Sequence, residues 1–190
     1  MRKLNIGIDI DDTVTDTFEY LMPLVAEYFN LDLNYLEENN ISYTSLPDDI
    51  KDREVEFGKV YYDEAILNVP IKDNVSKYIK MIKDLGHNII FITARSNRTN
   101  TDPVGDSKKY LDKYNILYDD VICTLDKVKV CKENNIDLFI DDSINNCTNI
   151  SCAGIDVLLF ESKINKHCDL FRRVSNWEEI YKIILNYKWY

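Results

Sequence analysis

The chain opens on an apolar run, Leu4-Asn5-Ile6-Gly7-Ile8, that discharges directly into Asp9-Ile10-Asp11-Asp12-Thr13. A short apolar run bounded by polar residues reads as a buried strand. Two further runs behave alike. Asn88-Ile89-Ile90-Phe91-Ile92 ends in Thr93-Ala94-Arg95, and Asp137-Leu138-Phe139-Ile140 ends in Asp141-Asp142. Val121-Ile122-Cys123 and Asp156-Val157-Leu158-Leu159-Phe160 predict two more strands. Between the strands the apolar spacing changes to three and four. Phe18, Leu21, Met22, Val25, Ala26 and Phe29 share one helical face from near Asp16. Val75, Tyr78, Ile79 and Ile82 share another, with Gly86 as a natural stop. Helices are also predicted over 103–114 and 127–134, and a last one opens at the capping box Ser175-x-x-Glu178. Strands alternating with helices predict an α/β fold built on a doubly wound parallel sheet.

Residues 31–68 break the alternation. They are polar, rich in Tyr, Glu and Asn, and carry no clear strand, and Pro70 restarts the pattern. The expected organisation is an α/β core formed by 1–16 and 71–190, interrupted after the first strand by a small helical cap over 17–70. No internal repeat or low-complexity linker is visible.

The net charge of −10 argues against binding to a nucleic acid polymer or an anionic membrane. A small phosphorylated substrate stays compatible, because a bound cation inverts the local field. No apolar stretch approaches the ~20 residues of a membrane span. The basic start Met1-Arg2-Lys3 leads straight into the first strand without a signal-peptide pattern, so a cytoplasmic protein is expected. The five cysteines include no C-x-x-C pair and read as reduced thiols in or near the core. A catalytic cysteine would have only His87 and His167 to serve it, and neither stands in a recognisable setting.

In open α/β sheets, ligands bind just beyond the carboxyl ends of the strands. An acidic loop that merely closes a strand is the bland reading of Asp9–Thr13, since turns favour Asp. Three strand ends of different chemistry argue for more. They bring Asp9 and Asp11, then Thr93, then Asp141 and Asp142 to one edge. Lys127 opens a predicted helix behind Asp126 as N-cap, and helix N-termini lie on the same edge. Lys129 and Lys132 lie further along and read as a solvated face. A carboxylate can attack phosphorus as a nucleophile. Mg2+ takes hard oxygen ligands and suits a few carboxylates. Phosphoryl oxygens need a hydroxyl, N–H groups and a cation. One further acid can protonate the leaving group and then activate water.

This constellation resembles the haloacid dehalogenase superfamily of phosphatases. The match is D-x-D-x-T at Asp9 to Thr13, Thr93 behind its strand, Lys127, and the pair Asp141-Asp142. The resemblance implies Asp9 as nucleophile and Mg2+ ligand. It implies Asp11 as general acid and then base, with its backbone carbonyl on the metal. Thr93, Ala94 and Lys127 would bind the transferring phosphoryl group. Asp142 would ligate Mg2+ directly, and Asp141 directly or through water. Asp12 stands where glycine is common in the superfamily, and it is also turn-compatible.

The whole chain further resembles cytosolic 5'(3')-deoxyribonucleotidases and their bacterial relatives. The pointers are the cap after the first strand, Ile92-Thr93-Ala94-Arg95, the stretch from Cys131-Lys132-Glu133 to Asp141-Asp142-Ser143, and Arg173-Val174-x-x-Trp177. The implied activity is Mg2+-dependent hydrolysis of a nucleoside monophosphate through an aspartyl-phosphate. A sugar or other small phosphate is the alternative substrate. Those nucleotidases sandwich the base between aromatics near the first motif. Here Thr17 occupies that place, with Phe18 beside it. Phe18, Tyr61 and Arg95 are the candidate substrate contacts. Packing between cap helices is the competing reading for Phe18, Phe57, Tyr61 and Tyr62, and an ion pair on the cleft rim for Arg95. Asp16 is expected at the hinge, and Trp177 and Trp189 as packing anchors. A receiver-type phospho-acceptor domain also uses Asp, Thr, Lys and an acid pair, but there the pair follows the first strand. The expected partner is thus a small phosphorylated molecule. The oligomeric state stays open, with a homodimer among the options.

Overall fold

Among the described residues, every pairing between strands of the sheet is parallel. The structure, a computed structural model, describes residues 2–39, 41, 46–95 and 102–187, and leaves out the side chains of 37, 62–64 and 66. Tyr62's side chain and Trp189 therefore lie outside the described residues. The strands are β1 (Asn5–Ile8), β2 (Asn88–Thr93), β3 (Asp120–Cys123), β4 (Leu138–Asp141), β5 (Asp156–Phe160) and β6 (Arg173–Val174). They form one six-stranded sheet in the order β3-β2-β1-β4-β5-β6. The chain winds outward from β1 through β2 to β3, then crosses back to β4 and winds the other way. The crevice of such a sheet opens where the winding reverses, between the carboxyl ends of β1 and β4. Asp9 and Asp141 stand at those two ends.

The β1 strand is continuous apolar because both its faces are covered. On one face Ile6, Ile8, Phe91 and Ile140 pack with Val75, Ile79, Tyr110, Trp177 and Ile180. These come from α4 (Val75–Asp84), α5 (Pro103–Lys113) and α8 (Trp177–Leu185). On the other face Ile92 and Phe139 pack with Cys131 of α6 (Lys127–Glu133) and Ile150 of α7 (Ile144–Cys152). Gly7 is demanded by this packing, since a Cβ there would lie 2.5 Å from the Phe139 ring.

The segment after β1 contains α1 (Thr17–Phe29), α2 (Leu33–Glu38), a short 3-10 turn at Lys51–Arg53 and α3 (Glu54–Asn68). It has an apolar cluster of its own, with Phe18, Met22, Val25, Leu36, Leu46 and Phe57 buried in it. Two linker segments that meet at one antiparallel bridge join it to the sheet. Thr15 bridges Ile71, Asp16 N donates to Pro70 O at 2.9 Å, and Lys72 Nζ meets the Asp16 carboxylate at 2.6 Å. Asp16 thus ties the linker that leaves β1 to the one that returns.

Three features escape the apolar pattern. Helix α7 reads Ile-Asn-Asn-Cys-Thr-Asn-Ile-Ser-Cys, almost all poor helix formers. It stands on burial of Cys147 and Ile150 and on the Ser143 hydroxyl, which accepts from Asn146 N at 3.4 Å. Strand β6 is two residues long and leaves no periodic trace. The α8 box is displaced by one. Asn176 caps Glu179 N at 3.0 Å, and the Glu179 carboxylate accepts from Ser175 N at 2.8 Å. Trp177 is buried as an anchor, its Nε1 donating to Thr13 O at 3.3 Å. Among the described residues no helix is long and apolar enough to cross a membrane.

Candidate active site

Past β1 the chain turns sharply. Ile10 O accepts from Thr13, Val14 and Thr15 N–H groups at 2.8–3.3 Å. Asp12 takes the left-handed conformation this turn requires, with φ +58°. Asp tolerates that region better than most residues. Its carboxylate also accepts from Phe18 N at 2.7 Å and so caps α1, which a glycine would not do.

The turn leaves Asp9 buried at the winding reversal. Lys127, the first residue of α6, points into the same space. Its Nζ lies 2.6 Å from Asp9 Oδ1 and 2.7 Å from Asp141 Oδ2. Asp141 is fixed further by Ser143 N at 2.8 Å and Asn146 Nδ2 at 2.9 Å. The backbone carbonyl of Asp142 accepts from buried Asn165 at 2.8 Å. Asp9, Asp141 and Asp142 each offer an oxygen within 4.8 Å of the others, and all three are buried.

Such crowding perturbs the acids. Burial pushes Asp9 up to about 7, helped by Asp141 and Asp11 and opposed by Lys127. Burial also raises Asp142 well above the carboxylate range, with Asp141, Asp12 and Asp9 adding to the rise. Burial alone would lower Lys127, but the Asp141 and Asp9 carboxylates outweigh it and hold the ammonium more firmly protonated. Three buried carboxylates face one ammonium. A divalent cation among them would balance the remaining charge, and an all-oxygen donor set suits a hard ion.

The remaining predicted residues divide into two groups. Thr93 is buried at the end of β2, and its Oγ1 accepts from Arg95 N at 3.5 Å. Ala94 is exposed beside it. Because β2 pairs with β1, this loop shares the carboxyl edge with Asp9. Arg95 is buried, and its guanidinium reaches Asp11 rather than the rim. Nε donates to Asp11 Oδ2 at 3.0 Å and Nη2 to Oδ1 at 2.9 Å. Thr17 Oγ1 adds a bond to Oδ1 at 2.9 Å. Burial alone would raise Asp11, but the charge and bonds of Arg95, with the Thr17 bond, hold it below the usual range. In the cap, Phe18 is only 5% exposed and belongs to the cap's own cluster. The Tyr61 ring lies 5.1 Å from Phe57 and 5.8 Å from Tyr28, partly open to solvent.

Sequence reasoning did not find Thr17, Ser143, Asn146 or Asn165 as supports of the acids. Ser143-x-x-Asn146 carries a weak capping signal. Asn165 sits in a loop 23 residues past Asp142 and carries none.

Known proteins resemble this chain over almost its whole length. The family described as "5' nucleotidase, deoxy (Pyrimidine), cytosolic type C protein" matches residues 2–190. A nucleotidase from Clostridium acetobutylicum is 30% identical over 207 residues, covering 97% of this chain and 95% of that protein. YqfW of Bacillus subtilis is 32% identical over 197 residues, with 97% and 95% covered. In fold, the crystal structure of a predicted phosphatase from Clostridium acetobutylicum superposes with a TM-score of 0.70 at 15% identity, covering 97% of this chain and 100% of that one. A haloacid dehalogenase-superfamily hydrolase from Ehrlichia chaffeensis does so with 0.59 at 15% identity, covering 98% of each. These matches identify a phosphoric monoester hydrolase. The chain belongs to the cytosolic type C 5' nucleotidase, deoxy (pyrimidine) family.

Proposed function

We propose that the protein hydrolyses a nucleoside monophosphate with Mg2+ as its metal and Asp9 as its nucleophile, as a 5'(3')-(deoxy)ribonucleotidase. The observation that carries this reading is the Lys127 ammonium bonded to both Asp9 and Asp141 beside Asp142. Asp9, Asp142 and the Asp11 backbone carbonyl would hold the ion, with Asp141 joining directly or through water. Bound Mg2+ would neutralise charge on the phosphoryl oxygens and the acids.

An Asp9 oxygen attacks phosphorus, and the bond to the leaving oxygen breaks. Asp11 gives that oxygen a proton. Thr93 Oγ1, Ala94 N–H and Lys127 Nζ hold the equatorial oxygens. Water then attacks the aspartyl-phosphate, giving its proton to Asp11 and freeing Asp9 and inorganic phosphate. The insertion over 17–70 acts as a cap. By closing, it keeps water from the first step, and it readmits water for the second.

A sugar or other small phosphate is the second reading. It is favoured by Thr17 and Phe18, which are occupied with Asp11 and with the cap cluster and leave no aromatic free to stack a base there. The test is a panel of nucleoside monophosphates and sugar phosphates, each with Mg2+ and with chelator. Nucleotides are expected to have the highest kcat/KM. If sugar phosphates outrun every nucleotide, the second reading holds. Turnover undiminished by chelator would remove the metal from the mechanism.

A further inference from the structure

Three hydrogen bonds fix the Asp11 carboxylate, and they use its two oxygens unequally. Oδ1 accepts from Arg95 Nη2 and from Thr17 Oγ1, which Thr15 Oγ1 in turn contacts at 2.6 Å. Among the described residues, Oδ2 accepts from Arg95 Nε alone. One lone-pair direction therefore remains on Oδ2 and none on Oδ1.

Arg95 is itself held from behind. Its Nη1 donates to Ser107 Oγ at 3.4 Å, and its guanidinium lies 5.8 Å from the Tyr110 ring centroid. The Tyr110 hydroxyl donates to Val69 O at 2.9 Å, at the start of the second linker to the cap. The Arg95 side chain has no solvent exposure, while Asp11 keeps 19%. A guanidinium so buried needs a charged partner, and Asp11 supplies it. A fork that donates to both oxygens of one carboxyl group fits the unprotonated form. Of the two tasks assigned to Asp11, this arrangement suits the second, in which it receives a proton.

We infer that Arg95 is a positioning residue for hydrolysis of the phosphoenzyme. It orients the Asp11 carboxylate so that Oδ2 takes the proton of the attacking water. In that step the water oxygen forms a bond to phosphorus, and the bond from phosphorus to the Asp9 oxygen breaks. The proton passes to Asp11 Oδ2, and inorganic phosphate leaves. The inference rests on the reading of Asp9 and Asp11 given above.

p-Nitrophenyl phosphate separates the steps, because its leaving group departs without a proton. Its kcat/KM reports attack by Asp9, and its kcat comes to report hydrolysis of the phosphoenzyme once that step is slow. With Mg2+ present, Arg95→Gln is expected to lower kcat about a hundredfold, the low end of general-base effects, while kcat/KM stays within about threefold. Rapid mixing should then show a burst of one p-nitrophenolate per active site. Arg95→Lys keeps the charge but loses the two-point fork. It should show a smaller fall in kcat, again with kcat/KM retained, and it decides the matter if Arg95→Gln does not fold.

An equal fall in kcat and kcat/KM without a burst would overturn the inference. So would unchanged kinetics. A raised KM at retained kcat would make Arg95 a substrate contact and would also overturn it. Failure of the wild-type protein to hydrolyse any phosphomonoester would instead sink the functional reading on which the inference stands.

Discussion

Lys127 Nζ lies 2.6 Å from Asp9 Oδ1 across 118 positions of sequence, with both side chains buried. The same ammonium is 2.7 Å from Asp141, so one cation holds two strand ends together. Removing it strands two carboxylates beside a third. Lys127→Met should cost about 3–5 kcal/mol of stability, as breaking buried ion pairs does. Urea unfolding in chelator is the measurement. Unchanged stability would show that these acids are not charged together in the folded protein.

Asp9→Asn should lower turnover of every phosphomonoester by about 10^4-fold or more, the scale seen when a nucleophile is lost. The fold should survive, because Asn can still accept a bond from Lys127. Acid-quenched trapping of the phosphoryl group on another residue would refute Asp9 as nucleophile. Activity retained in Asp9→Asn, with deamidation excluded by mass spectrometry, would do the same.

Metal and pH should act on stability through the same cluster. In chelator, Asp9 is raised from 3.8 to about 7, and Asp142 is raised as well. A raised carboxyl favours the folded state at low pH, where it is protonated. That contribution is complete below 3.8 and is lost as pH rises toward about 7. Asp142→Asn removes one such group. Its thermal midpoint in chelator should therefore gain on the wild type as pH rises above the ordinary carboxylate range. With Mg2+ the order should reverse. An ion at a hundred times its dissociation constant adds about 2.7 kcal/mol to the protein that binds it. A wild type whose midpoint ignores Mg2+ at pH 7 would contradict the metal assignment.

The candidate set is legible because each member ends an apolar run or opens a helix on one sheet edge. Asp9, Thr93 and Asp141 need only the strand pattern, and Lys127 needs only its cap, Asp126. What supports them is not legible. Arg95 meets Asp11 84 positions away, and Asn165 meets the carbonyl of Asp142 from a loop without periodicity. Such contacts depend on how loops return to the edge, which no local pattern encodes. Helix α7 is hidden for another reason. Its Asn, Thr, Ser and Cys residues disfavour helix locally, and burial against β4 and β5 overrides them.

Gly7 tests the sheet that carries the site. Gly7→Ala would drive a methyl to 2.5 Å from the Phe139 ring and 3.3 Å from Ile136. Overpacking of this kind costs about 1–3 kcal/mol. Since Gly7 and Phe139 pair in β1 and β4, any separation would also part Asp9 from Asp141. Denaturant unfolding should show the loss, and kcat should fall with it. A variant as stable as the wild type would mean that β1 and β4 adjust freely at this point.

The cap aromatics should divide by exposure. Phe18 is buried with Met22, Val25 and Phe57, and Lys163 Nζ sits 5.7 Å from its ring centroid. Phe18→Ala should cost about 3–5 kcal/mol and slow all substrates alike. Tyr61 is half-buried, braced by Phe57 and Tyr28, and is the cap aromatic proposed to stack on a substrate base. Stacking of a base on an aromatic ring is worth about 1–3 kcal/mol. Tyr61→Ala should therefore lower kcat/KM for nucleoside monophosphates by about tenfold relative to p-nitrophenyl phosphate. Measuring both substrates on one preparation cancels any loss of active protein. A uniform fall for Tyr61→Ala would reduce that ring to packing. A selective fall for Phe18→Ala, at unchanged stability, would move base recognition to the residue beside Thr17.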